Sequence, residues 1–273
     1  MPSSAWKKKT NALESTCNKV SNVNQKAIYF DNEVADININ ADIIENGEYA
    51  GGDVISIKGD GILNANEVIC RNNGSCLNHK AGTFIANILK LTSVNEDVES
   101  AGTVHLSDGT GTQNLTLFFD EIQNLSKEGG NAVTASEGIL NLNGRYIYSK
   151  AGLSMDLRAD ADILVDEIIS KTKGINIDTN PSSGNKKVII DANIIEGSNG
   201  NDGVIRSATG SNYVVRNAKI KNTATSSPSI GIYIETGTNT LDQAIELENL
   251  IIVTGVDTTD FSLFRDGTTV GII

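Results

Sequence analysis

The sequence predicts an all-β chain wound as a parallel β-helix, and three observations predict it. A unit of two short strands recurs along most of the chain, apolar and polar residues alternate within the strands, and Gly, Asn or Ser closes each strand. The plainest copy is Val188–Tyr213, VIIDANIIEGSNGNDGVIRSATGSNY, flanked by copies at 163–184 and 214–237. Two short strands cannot bury both faces alone, so their repetition implies stacking.

The first strand of the unit recurs as ININADII (Ile37–Ile44), ILNANEVI (Ile62–Ile69), TFIANILKL (Thr83–Leu91), LTLFFDEI (Leu115–Ile122) and ILNLNGRYIY (Ile139–Tyr148). It continues as ILVDEII, VIIDANII, VVRNAKI and IELENLII (Ile245–Ile252). With Ile43, Val68, Ile88, Ile122, Tyr146, Ile169, Ile194, Ile220 and Ile251 as equivalent points, the mean step is 26 residues. The second strand ends at or near glycine in most copies, at Gly59, Gly82, Gly109, Gly138, Gly210, Gly237 and Gly267. Glycine turns such corners because it adopts positive φ without steric cost.

That period suits a β-helix of about nine rungs, a rod roughly 40 Å long at the spacing of neighbouring strands. Leucine-rich repeats would need LxxLxLxxN, and helical repeats would need Ala- and Leu-rich helices; neither pattern is present. Parallel crossovers are strongly right-handed, so a right-handed, single-stranded coil is expected.

Residues 1–35 lack the repeat and are expected to form an N-terminal docking or oligomerisation arm, with a short helix from about Asn11 to Lys19; 36–273 is the β-helix. The copies also differ in loop length. Longer steps carry Ser93–Gly102, Asp108–Asn114, Thr223–Ser229 and Gly237–Gln243, where solenoids often bind and where insertions accumulate at little cost.

Bulk composition narrows the function. A net charge of −12 over 273 residues opposes a nucleic-acid or anionic-membrane surface. No stretch approaches the roughly 18 apolar residues of a membrane span, and the N-terminus has lysines without the apolar run of a secretory signal. Cys17, Cys70 and Cys76 are expected as free thiols made in a reducing cytoplasm, although Cys70 and Cys76 could bridge the turn between them. With His79, and with His105 one repeat on, the cysteines lack the paired second half of a metal site, so no metal or cofactor is expected.

The densest ionisable cluster is Asp156, Arg158, Asp160, Asp162 and Asp166, and it tests for catalysis. Paired carboxylates could hydrolyse a glycoside, and carboxylates beside an Arg could hold calcium and a base. Alternation of Asp156, Arg158, Asp160 and Asp162 along one extended segment is also how a solvated strand reads, and that reading is favoured. If the protein is an enzyme, Asp156, Arg158 and Asp160 are the catalytic candidates. A second group, Asp178, Asp191 and Asp202, is scattered over its rungs, and Tyr146, Tyr148, Tyr213 and Tyr233 are the nearest aromatic platforms for a sugar.

Units such as VIIDANIIEGSNGNDGVIRSATG and LNLNGRYIYSKAGLSMDLRAD resemble those of phage tail and receptor-binding proteins of the right-handed β-helix, tailspike-like type, over Ile37–Ile273. Pectate-lyase-like enzymes share the architecture. The resemblance implies a structural virion protein, a tail or baseplate spike or fibre that attaches to the host surface. It implies a homotrimer, docked on other virion proteins through residues 1–35 and meeting a host glycan or protein. The apolar end at Val270–Ile273 agrees with burial in an assembly. The chain departs from depolymerase tailspikes in lacking an evident acid pair and a separate C-terminal trimerisation domain. A polysaccharide lyase or hydrolase is the alternative, and a bacterial surface adhesin a third reading.

Overall fold

The computed structural model describes residues 7–9, 12–47, 52–95, 102–106, 112–179, 186–225, 229–235, 244–255 and 261–265. Among them are twenty strands and no helix. Strands β1 (Lys7–Lys9) and β2 (Ala12–Asn22) open the chain. Each of β3 (Ile28–Asn46), β4 (Ile55–Cys70) and β5 (Leu77–Ser93) joins a short segment to a long one. The two kinds then separate as β6 (Val104–Leu106), β7 (Gln113–Asn124), β8 (Val133–Ala135), β9 (Ile139–Ser149) and β10 (Met155–Leu157). They continue as β11 (Asp160–Ser170), β12 (Ile175–Ile177), β13 (Lys187–Gly197) and β14 (Ile205–Ser207). In the last copies the long strand is split, into β15 (Asn212–Arg216) and β16 (Lys219–Asn222), then β18 (Ile245–Glu248) and β19 (Ile251–Val253). Short strands β17 (Ile230–Ile234) and β20 (Phe261–Arg265) accompany them. Asn217 and Asn249 occupy the breaks at φ 60° and 50°, a conformation asparagine tolerates better than most residues.

Long strands pair in parallel with long strands and short with short, so the chain is a parallel β-solenoid of about eight turns. Strand β1 is the exception, lying antiparallel on β2.

Period-2 alternation decides which residues form the core. The register stacks Ile44, Val68, Leu91, Ile122, Ile147, Ile168, Ile195 and Ile220 in one inward column, all fully buried. A second column runs Ile39, Leu63, Ala86, Leu117, Leu142, Ile163, Ile190 and Val215. Each buried aliphatic side chain contributes about 1.5–3 kcal/mol. This register corrects the expected alignment. Val68, Ile122 and Ile220 share the Ile44 column, whereas Ile43, Tyr146, Ile194 and Ile251 occupy the neighbouring outward one. Ile88 stands opposite Ala65, and Ile169 opposite Tyr148. Adjacent isoleucines make the phase ambiguous by one residue, and only strand pairing resolves it.

The helix expected over Asn11–Lys19 is instead strand β2, paired in parallel with Ile37–Asn46. Residues 12–22 therefore form a rung of the solenoid, and so do Ile28–Phe30, which pair with Ile55–Ile57. The strand escapes recognition because Ser15 stands in the column that Ile39 and Leu63 fill with aliphatic side chains, and Cys17 beside it is also half-buried. Among the expected corner glycines, Gly59, Gly82, Gly138 and Gly210 have positive φ, and Gly109, Gly237 and Gly267 lie outside the described residues. Gly138 shows the need: at φ 84° a Cβ would stand 2.4 Å from the Gln113 carbonyl oxygen of the rung below.

Strands β7, β11 and β16 end on a polar residue that caps the turn. Asn124 Oδ1 accepts the Ser126 N–H at 3.1 Å, Asn222 Oδ1 that of Ala224 at 2.9 Å, and Ser170 Oγ that of Lys173 at 3.0 Å. Buried turns thus keep their backbone groups satisfied.

Candidate functional site

Two features of the outer surface stand out. The first is a groove of about 650 Å³ that crosses the long strands from β2 to β9 where they bend. Its floor is the column Ala41, Ala65, Ile88, Phe119 and Gly144. Gly144 is needed there, since a Cβ would meet the Phe119 ring at 2.6 Å. One wall is the column Asn40, Asn64, Asn87, Phe118 and Asn143. The amides form a ladder: Asn64 Nδ2 donates to Asn40 Oδ1 at 2.7 Å, and Asn87 Nδ2 to Asn64 Oδ1 at 2.8 Å. Phe118 extends this wall with 44 % of its surface exposed. Asp42, Asn66, Leu89 and Asp120 line the groove from the other side of the floor; Asn66 donates to Asp42 at 3.1 Å, and Arg145 to Asp120 at 2.7 Å. Arg145 holds the Asp120 carboxyl below its usual range. Chemically this is a wall of neutral amides at rung spacing, an aromatic face and two carboxylates already engaged in hydrogen bonds.

The second feature is the outward column of the short strands. It runs Tyr29, Ser56, Asn78, His105, Thr134, Asp156, Asn176, Arg206 and Tyr233, one residue per turn. Outward residues are usually solvated, yet Ser56, Asn78 and Asp156 are buried. Several of these groups bond to the neighbouring rung: Asn176 donates to Asp156 at 2.8 Å, Asn78 to Asp53 at 2.9 Å, and Arg206 pairs with Glu235.

The acidic cluster divides between these faces. Asp156 lies on the short-strand column, and Arg158 donates to it at 3.2 Å. Asp160 accepts the Lys187 N–H at 2.8 Å, and Asp166 accepts the Asn193 amide at 3.1 Å, both on the long-strand layer. Asp162 is exposed on β11. Each bonded carboxylate answers a neighbour on the next rung. Asp191 likewise accepts Arg216 at 2.8 Å and Asn217 at 3.0 Å. Asp178 follows β12 and Asp202 precedes β14, apart from it.

The tyrosines scatter too. Tyr146 and Tyr148 stack at 6.0 Å on another outward face of β9. Burial, then the nearby Tyr148 and Glu167, raises the Tyr146 phenol. Tyr213 is wholly inside the solenoid, where burial pushes its phenol up to about 12. His79 and His105 do not share a face. His79 stacks inside on Phe84 at 5.7 Å, its Nε2 2.9 Å from the Gly82 carbonyl oxygen, and burial lowers its pKa. His105 is paired with Asn78, one residue out of step and on the opposite side of the strand. Among the described residues no group of His, Cys, Asp and Glu converges as a metal site. The loop residues 96–101, 107–111, 226–228 and 236–243, and the ends 1–6 and 266–273, lie outside the described residues.

The sequence reading missed the amide wall and Phe118. A signal was present, since Asn40, Asn64 and Asn87 each sit at the centre of INA, LNA and ANI in successive copies. Comparison with known proteins returned no match, whether to protein-family models, curated proteins or solved structures.

Proposed function

We propose that the protein is a structural virion component of a bacteriophage, a tail or baseplate spike or fibre that meets the host surface, with a surface glycan held in the long-strand groove. The groove carries this reading: amides repeated at the rung spacing can exchange hydrogen bonds with successive hydroxyl-bearing rings, and Phe118 offers a face for a sugar to stack on. An acidic chain suits an uncharged ligand better than a polyanion. Trimeric assembly and docking through the N-terminal residues belong to the same proposal.

Binding of purified protein to host cells and to their isolated surface polysaccharide tests it, beside Phe118→Ala and Asn87→Ala variants. Loss of roughly fivefold in affinity is expected for Phe118→Ala, since such stacking is worth about 1 kcal/mol, and a similar loss for Asn87→Ala, which removes a hydrogen-bonding amide. Undiminished binding by both variants rules the groove out, and absence of the protein from purified particles rules out the virion role.

A depolymerase is the second reading, favoured by one observation: Asp156 lies on the same outward column as His105, two rungs away. Release of new reducing ends from host polysaccharide, abolished by Asp156→Asn, would establish it in place of simple attachment.

A further inference from the structure

The turn between β4 and β5 holds two thiols that the groove does not use. Cys70 ends β4, Cys76 immediately precedes β5, and the five residues RNNGS join them. Both are reduced and fully buried. Each sulfur reaches across the turn to the backbone beside the other cysteine. Cys76 Sγ lies 3.7 Å from Ser93 Oγ, and Ser93 is the residue stacked on Cys70 in the next rung. It also lies 3.6 Å from the carbonyl of Val68, two residues before Cys70. Cys70 Sγ in turn lies 3.1 Å from the carbonyl of Gly74, two residues before Cys76. The turn itself has no slack: a Cβ on Gly74 would stand 2.1 Å from the Gly52 carbonyl oxygen.

We propose that Cys70 and Cys76 form a latent intrachain disulfide, a lock on this turn that closes when the protein passes from a reducing to an oxidising medium. With a small-molecule disulfide such as oxidised glutathione as oxidant, the chemistry is two thiol–disulfide exchanges. The Cys70 thiolate attacks one glutathione sulfur, forming a mixed disulfide and releasing one glutathione thiolate, which takes up a proton. The Cys76 thiolate then attacks the Cys70 sulfur, closing the S–S bond and releasing the second glutathione. Two protein thiols are oxidised and one glutathione disulfide is reduced to two thiols. Cys70 is the better first nucleophile, because hydrogen bonding from Cys76 and the Asn72 backbone favours its thiolate. Burial and the neighbouring Cys70 thiolate hold Cys76 as the thiol; once Cys70 is in the mixed disulfide its charge no longer opposes ionisation, and Cys76 gives up its proton to solvent as it attacks. Entry of the oxidant requires local opening of the turn, so closure is slow relative to exposed thiols.

The test uses the full chain carrying Cys17→Ser, purified reduced and incubated with oxidised glutathione. After denaturation in an alkylating reagent, the thiol count should fall from two to none and the mass by about 2 Da, with a melting temperature a few degrees higher. Added Cys70→Ser or Cys76→Ser should leave one thiol or one glutathione adduct and no rise in melting temperature. Two alkylatable thiols persisting in the folded protein overturn the proposal, as do a stable glutathione adduct without ring closure and a disulfide between chains. The same oxidation run in denaturant shows that the reagent is active. None of these outcomes depends on the virion reading.

Discussion

Asn64 lies between Asn40 and Asn87 in one outward column, donating to the first at 2.7 Å and accepting from the second at 2.8 Å. It is thus the middle member of a chain of amides running along the groove wall. Asn64→Ala removes both hydrogen bonds, each worth about 0.5–1.5 kcal/mol net, less where water replaces them. A drop of about 1 kcal/mol in unfolding free energy is expected by chemical denaturation. Asn64→Asp keeps an acceptor for Asn87 but removes the donor to Asn40, and should fall between.

Core columns should be far less tolerant. Ile122 is fully buried between Leu91 and Ile147. Ile122→Ala should cost about 2–5 kcal/mol, because the neighbouring rungs are held by backbone pairing and cannot collapse into the space. A loss under 1 kcal/mol in equilibrium unfolding would contradict the stacked register.

Gly144→Ala tests the groove floor. Its added methyl would meet the Phe119 ring at 2.6 Å and the Phe119 carbonyl oxygen at 2.5 Å. Overpacking of about 1–3 kcal/mol is expected, together with altered ligand binding, since Phe119 must move. A crystal structure of the variant with Phe119 unmoved would contradict this account.

Glu45 makes a pH prediction. Lys19 at 2.6 Å and Arg71 at 3.3 Å hold its carboxyl below the ordinary value of 4.5, against the opposing effect of burial. A depressed folded value means that the unfolded state binds the proton more readily as pH falls. The stabilisation is therefore complete above pH 4.5 and is lost as pH falls through the folded value. Glu45→Gln should lower the melting temperature at pH 7 and make no difference well below pH 4, where both side chains are neutral.

Much of the architecture was legible because alternation and stacking are local consequences of sequence. Ile/Val runs such as VIIDANII must hide one face, and a unit too small to do so alone must stack on copies of itself. Glycine corners followed from the same reasoning, as Gly138 shows. Phase was harder. In a pair such as Ile43–Ile44, composition does not say which residue is inside, and the neighbouring rung decides it. Strand β2 was illegible for a related reason, since Ser15 replaces the aliphatic residue of the Ile39 column and only pairing shows that it belongs there.

The candidate site shows the same division. Alternation and repeat length along the chain dictate a stack of strand–turn–strand rungs with an apolar interior and polar residues between the apolar ones. Which polar residues stand together depends on how the rungs stack in three dimensions. Asp156 and Asp160 are four positions apart in sequence yet lie on different layers, while Asn40, Asn64 and Asn87 are more than twenty apart and hydrogen-bond in succession. In a solenoid the neighbours that make a surface lie one turn away, and turn length varies with loops whose effect on register no local pattern contains.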